Sequence, residues 1–309
     1  MSRLQLGIVG LGKIARHQHI PACTTGDEFE LAAVASPDSS LEGVRSFTSI
    51  ADMLDAVPEV TAVALCTPPQ VRYETARYAL ERGRHVLLEK PPGVSLGEIQ
   101  DLAERALYQG VSLFAAWHCR YAPAVEPARA WLANRRLESI RVTWKEDVRV
   151  WHPGQRWIWQ PGGLGVFDPG INALSILTHI IPGVYRLSAA DLSYPANCHT
   201  PIAAQLAMVG PAGVPTSMTL DFLQEGAACW DIVVETDCGK LVLSEGGNQA
   251  CVDQRRLPVA GASSEYSRLY AHFARLVQER RLDVDMAPLQ VVADAFLTGR
   301  RIVVGEFVG

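Results

Sequence analysis

A doubly wound α/β domain followed by an α+β domain with an open, mostly antiparallel sheet is the architecture this sequence predicts. Three observations carry that expectation. Short apolar runs alternate with helix-like segments over the first 115 residues. After about residue 135 the runs alternate in polarity and are joined by turn-rich connections such as Gly210-Pro211-Ala212-Gly213. The chain is 309 residues long and 48% hydrophobic, enough for two medium domains with cores of their own.

Taken in order, residues 4–9, 30–35, 61–66, 85–88 and 111–115 are Val/Ile/Leu/Ala-rich runs bounded by turn residues, as strands buried on both faces should be. Residues 71–82 read as a helix stopping at Gly83, which takes the left-handed cap position without a Cβ clash. Ser95-Leu96-Gly97-Glu98 reads as a capping box opening a helix that ends before Gly110. Strands that alternate with helices need crossover connections, so this sheet is expected to be parallel. Further on, residues 139–151 alternate as one strand, with Val142, Trp144, Glu146, Val148 and Val150 on one face. Strands are expected at 203–209, 216–222, 231–235 and 240–244, and helices at 171–180, 265–279 and 288–302. The break between domains falls between residues 116 and 136, which gives domains of 1–120 and 121–309. No internal repeat or low-complexity segment interrupts either part.

Composition excludes several classes. A net charge of −5 offers no basic field for nucleic acid or an anionic membrane surface. No apolar run approaches the ~18 residues of a membrane span. The seven cysteines are odd in number and form no C-x-x-C, so neither a disulfide scaffold nor a zinc ribbon is expected, and no metal site. The first apolar stretch is interrupted by Lys13 and Arg16, too early for a secretory leader, so a cytoplasmic location is expected. Six of the seven tryptophans lie from Trp117 to Trp159, and the seventh is Trp230.

The first strand runs into Gly10-Leu11-Gly12-Lys13-Ile14-Ala15, a G-x-G-x-x-A turn opening a helix. The first Gly permits the tight turn, the second lets backbone approach a pyrophosphate, and the small third residue lets helix and strand pack closely. The helix N-terminus adds amides for the phosphates. Following the first strand of a βαβ pattern, this turn points to a dinucleotide. The second strand ends Val34-Ala35-Ser36-Pro37-Asp38, so Ser36 stands where an acidic residue would bind an adenosine ribose and repel a 2′-phosphate. No Arg follows directly, and Asp38 remains within reach of the ribose. NAD and NADP both stay open.

Lys90 follows a buried strand in Leu88-Glu89-Lys90-Pro91-Pro92, at the strand end where open α/β sheets place ligands. A Lys there serves acid–base chemistry when desolvated; the other reading is a solvated Lys paired with Glu89. Asp168-Pro169-Gly170-Ile171-Asn172 offers a similar choice. Asp168 is either a plain N-cap before Pro169 or, with Asn172 four residues on, half of a carboxylate–amide pair on one helix face. Gly170 between them leaves room for a ligand. Glu146 sits on an otherwise apolar strand face, as a strand-edge residue or as a carboxylate in a lined pocket. His118, Trp151, His152 and Trp230 carry weaker individual claims, since such side chains also serve as core.

Together these residues resemble the Gfo/Idh/MocA oxidoreductase family across essentially the whole chain. The matching features are G-x-G-x-x-A at Gly10 to Ala15, Glu89-Lys90-Pro91, and the segment from Asp168 to Asn172. The resemblance implies a Rossmann domain followed by an α+β domain whose open sheet often mediates homo-oligomerisation, as dimer or tetramer. It implies that Lys90 is catalytic and that its bond to Pro91 is cis. Many members carry His where this chain has Asn172. However, Trp144-Lys145-Glu146-Asp147, Trp151-His152-Pro153-Gly154 and the stretch from Gly162 to Asn172 resemble the branch that oxidises L-arabinose and D-galactose at C1 to the lactone, which also carries Asn. That resemblance implies Lys90, Asp168 and Asn172 as catalytic residues. Gly10, Gly12, Lys13, Ile14, Ser36, Thr67, Pro68, Glu89, Lys90 and His118 would bind NADP or NAD. Lys90, His118, Glu146, Trp151, His152, Asp168, Asn172 and Trp230 would bind a small sugar. Two further readings stay open: oxidation at another sugar or inositol carbon, and a non-catalytic sugar or dinucleotide sensor, against which the retained Lys90 and Asp168 argue.

Overall fold

The computed structural model describes residues 3–259 and 264–308. The chain divides into two compact units, one of Met1–His118 with Ser263–Met286, the other of Cys119–Ala262 with Ala287–Gly309.

The first unit runs β1 (Leu4–Val9), α1 (Ile20–Thr25), β2 (Phe29–Ala35), β3 (Arg45–Phe47), α2 (Ile50–Ala56), β4 (Ala62–Leu65), α3 (Arg72–Glu81), β5 (His85–Glu89), α4 (Leu96–Gln109) and β6 (Leu113–Ala116). The strands form one sheet in the order β3-β2-β1-β4-β5-β6, every neighbouring pair parallel. The order reverses between β1 and β4, the switch point outside whose strand ends such sheets bind ligands. All four β4 residues are fully buried, which is why that run reads as continuously apolar. Local signals hold as read: Ser95 caps α4 by accepting from Glu98 N–H, and Gly110 ends it at φ +62°. The expected helix at the glycine turn begins with a π-helical turn, Ala15–His19, before α1. The unit closes with a helix that returns late in the chain, Glu265–Glu279. Its Phe273 stacks on Phe29 at 5.4 Å and on Phe114 at 6.0 Å between ring centroids. Ser112 Oγ donates to the Leu276 carbonyl, and Asp283 bridges to Phe114 of β6.

A single break near residue 120 therefore differs from the observed division. The helix 265–279 was expected in the second domain, and its apolar face packs in the first unit instead. Periodicity shows that a helix has a buried face without showing which core receives it.

The second unit contains α5 (Val125–Leu132), β7 (Leu137–Lys145), α6 (Val148–Trp151), α7 (Phe167–Ile180), β8 (Arg186–Pro195), β9 (Ala203–Val209), β10 (Pro215–Asp221), β11 (Cys229–Thr236), β12 (Gly239–Ser244), β13 (Gln249–Val252), β14 (Arg255–Arg256), the helix Ala287–Thr298 and β15 (Arg300–Val304). Its nine strands follow the order β14-β13-β12-β11-β7-β10-β9-β8-β15. Pairs β7/β10 and β8/β15 are parallel and the others antiparallel, so the sheet is mixed. Two expected elements are corrected. The strand expected over 139–151 stops at Lys145, because Asp147 accepts from Arg149 N–H and caps α6, leaving Val150 66% exposed. The helix expected over 288–302 stops at Thr298, and the chain turns at Gly299 into β15. No helix among the described residues is long and apolar enough to cross a membrane.

Candidate active site

The glycine turn stands at the switch point of the parallel sheet. Gly10 has φ +89°, and a Cβ there would lie 2.9 Å from the Thr67 backbone nitrogen, so only Gly lets the β1 turn close against the loop after β4. A Cβ on Gly12 would meet nothing within 4 Å, which leaves its backbone open to an approaching ligand. Ala15 is fully buried, and Lys13 is exposed with Ile14 half-buried beside it. The Thr67 hydroxyl is buried and has no hydrogen-bond partner among the described residues. An orphaned donor beside an open glycine turn fits a dinucleotide, and Pro68 sits exposed next to it. Ser36 follows β2 directly, its N–H donating to the Phe47 carbonyl at 2.9 Å. Arg16 ties the two loops together by donating to the Leu11 and Ser40 carbonyls, each at 3.2 Å. Sequence reasoning sought such an Arg after β2 and missed this one because it precedes the strand.

Lys90 is half-buried at the end of β5, and its bond to Pro91 is cis. The solvated Glu–Lys pair is overturned, because Glu89 is 3% exposed and its carboxylate is spent inside the protein. His19 Nε2 lies 3.0 Å from Oε1, the Tyr266 hydroxyl donates to the same oxygen at 2.6 Å, and the Lys90 N–H donates to Oε2 at 2.8 Å. Burial works against the charged form, but the hydrogen bond and charge of His19, the charge of His118 and the Tyr266 hydroxyl outweigh it and hold the carboxyl down at about 2. The carboxylate of Glu89, a residue expected among those that bind the cofactor, anchors the turn that carries Lys90. The Tyr270 hydroxyl meets His19 Nδ1 at 2.7 Å, and burial pushes that phenol well up. His118 is half-buried, with Nδ1 2.8 Å from Glu265 Oε2 and its ring stacked on Tyr266. His19, Tyr266, Tyr270 and Arg72 escaped the sequence reading. His19 was detectable, since it lies one helical turn after the buried Ala15.

In the second unit the sequence candidates converge. Glu146, just past β7, is 3% exposed. Its Oε1 lies 2.8 Å from His152 Nε2, and its Oε2 accepts from Trp230 Nε1 at 2.9 Å. His152 Nδ1 lies 3.4 Å from Gln155 Oε1 and, just beyond hydrogen-bond distance, 3.7 Å from Asp168 Oδ2. Trp151, 44% exposed, meets Trp230 edge-on at 4.7 Å between centroids. Asp168 is 2% exposed inside the first turn of α7 and is not its N-cap; Val166 takes that position without a side-chain bond. Asn172 is half-buried one turn on. The room expected at Gly170 goes to packing: a Cβ there would stand 2.6 Å from Leu220 Cδ1 of β10, so this Gly lets α7 lie against the sheet. Of the clustered tryptophans, Trp117 and Trp144 are buried core, at 2% and 4% exposure. Trp131 carries Arg135 over its ring at 4.0 Å.

Comparison with known proteins identifies the family. Residues 4–116 match the model of an oxidoreductase family with an NAD-binding Rossmann fold. Over 307 residues the chain is 44% identical to galactose 1-dehydrogenase of Pseudomonas fluorescens, covering 99% of each protein. The chain belongs to the Gfo/Idh/MocA oxidoreductase family. Its structure matches a D-galactose-1-dehydrogenase from Rhizobium etli with TM-score 0.95 and 52% identity, covering 100% of this chain and 99% of the other. A 3-ketoreductase from Actinomadura kijaniata, solved with NADP, shares the fold at TM-score 0.84 and 17% identity, covering 98% and 99% of the two chains. This member of the family is an NAD(P)-dependent oxidoreductase acting on a sugar.

Proposed function

We propose that the protein oxidises D-galactose and L-arabinose at C1 to the corresponding lactones. One observation carries this reading: the buried carboxylate of Glu146 held by His152 and Trp230, with buried Asp168 3.7 Å from the same imidazole and the Trp151 ring beside Trp230. Sugars present hydroxyl edges and C–H faces, and such a cluster offers acceptors for the first and aromatic surface for the second. Glu146 already accepts from His152 and Trp230, yet a carboxylate has about four lone-pair sites, so capacity remains for a ring hydroxyl. D-galactose and L-arabinose share ring configuration and differ by an exocyclic CH2OH. One such group is a small discrimination problem, so both sugars are expected to react.

Gly10, Gly12, Lys13, Ile14, Ser36, Thr67, Pro68 and His118 are assigned to holding the dinucleotide. When bound it supplies the hydride acceptor. Proton handling at the C1 hydroxyl is assigned to Lys90 and Asp168, one as base and one as orienting partner, and Asn172 positions the C1 and C2 hydroxyls. With purified protein, either sugar and NAD or NADP should produce reduced-cofactor absorbance, and the product should hydrolyse to an aldonic acid. Lys90→Ala should cut turnover to a small residual rate while dinucleotide binding persists; undiminished turnover would remove Lys90 from this role.

The nine-stranded sheet presents a second face with half-buried Val233 and Val242 and exposed Arg141, Gln205 and Ser217. We assign this face to docking a second copy of the chain. Light scattering should return a mass of two chains or more, and a monomer at micromolar concentration would reject the assignment.

A further inference from the structure

The Glu89-Lys90-Pro91 turn is gripped by the backbone as well as by the Glu89 carboxylate. Arg72, in the first turn of α3, is 2% exposed. Its Nη1 donates to the carbonyl oxygens of Glu89 and Pro91, and its Nη2 donates to the carbonyl oxygen of Thr67. The Glu89 and Pro91 carbonyls lie on either side of Lys90. The Thr67 carbonyl belongs to the loop after β4, whose backbone stands against Gly10. One planar guanidinium thus ties the strand end carrying the lysine to the strand end carrying the orphaned Thr67 hydroxyl. A guanidinium fork sets direction as well as distance, which a single ammonium on a flexible stem does not.

We propose that Arg72 is a positioning residue: it fixes the backbone on both sides of Lys90 and registers that turn against the dinucleotide-binding loop. The proposal rests on the reading of Lys90 as a proton-handling group. It separates Arg72 from an ordinary structural residue, whose loss lowers the amount of folded protein without changing what each folded molecule does.

The test uses full-length Arg72→Lys and Arg72→Gln, each alone and combined with Lys90→Ala. Thermal melts report folding, intrinsic fluorescence reports dinucleotide Kd, and steady-state assays with D-galactose report kcat and KM. Displacement of a catalytic group by about 1 Å costs on the order of 100-fold, so Arg72→Gln should lower kcat about 100-fold. Sugar KM should stay within about threefold, because the interaction lost matters only in the transition state. Dinucleotide Kd should weaken by about 3–10-fold as the Thr67 loop loses its tether. Arg72→Lys, which keeps charge and some of the bonds, should recover about tenfold of the lost kcat. In the Lys90→Ala background, Arg72→Gln should lower the residual rate by less than about threefold, because a residue acting through Lys90 has nothing left to position. Losses that multiply across the two sites would overturn the inference, as would wild-type kcat per folded molecule in both single variants. If Arg72→Gln does not fold, Arg72→Lys decides: wild-type kcat and Kd there reject the proposal. The two readings fail separately. Normal turnover in Lys90→Ala alone removes the lysine reading and the positioning role with it, whereas a lost Lys90→Ala activity with an unaffected Arg72→Lys removes only the role of Arg72.

Discussion

At the scale of one residue, Glu89 shows how a buried charge is kept and what it does there. Its carboxylate has given up water and in return accepts from His19, Tyr266 and the Lys90 N–H, so removing it unsatisfies several donors at once. The folded pKa of about 2 lies below the ordinary 4.5, so folding favours the ionised form. The resulting stability is fully present above about pH 4.5 and is lost as pH falls toward about 2. The difference corresponds to roughly 3 kcal/mol. Glu89→Gln should therefore be destabilised by about that amount at pH 7, and the deficit should shrink as pH is lowered through 4.5. Denaturant unfolding of both proteins at pH 7, 5, 4 and 3 measures it. A deficit that stays constant across this range would mean that the charge itself contributes nothing.

At the scale of elements, legibility followed how local the determining physics is. The capping of α4 by Ser95 and its stop at Gly110 depend on a few neighbouring residues, and they were read to the residue. The run 203–209 alternates within one strand, and β9 spans the same residues. The strand expected through 151 failed because alternation continues past Lys145 while the Asp147 side chain bonds Arg149 N–H and starts a helix. That failure has a functional side. By turning there, the chain brings His152 back to Glu146 at 2.8 Å, a contact that an extended strand over six residues would forbid. The π-helical turn at Ala15–His19 likewise carries His19 into the core, where its Nε2 meets Glu89. Of the candidate site, the residues in short motifs were visible: Gly10, Gly12, Lys90, Asp168. Arg72 was not, since an Arg in a helix reads as solvated until the carbonyls of two distant strand ends are seen around it.

At the scale of the molecule, the informative departure is that the first unit is built from two separate stretches of chain. The fragment 1–120, which sequence reasoning would isolate as a domain, lacks the helix Glu265–Glu279. That helix brings Tyr266, Tyr270 and Phe273, each no more than 3% exposed, onto Phe29, Phe114 and the His19–Glu89 pair. Burying three aromatic side chains is worth roughly 5–9 kcal/mol, comparable to the whole stability of an ordinary domain at ~5–15 kcal/mol. Without the helix, Glu89 also loses its Tyr266 donor and keeps its burial cost only partly offset. The fragment 1–120 should therefore show no cooperative thermal transition and no dinucleotide binding. A chain joining residues 1–118 through a flexible linker to residues 264–286 should recover both. Circular dichroism melts and fluorescence titration with NAD and NADP compare the two. A cooperative melt in the short fragment would mean that the six-stranded sheet carries its own core, and that the returning helix is a cover and not a structural member.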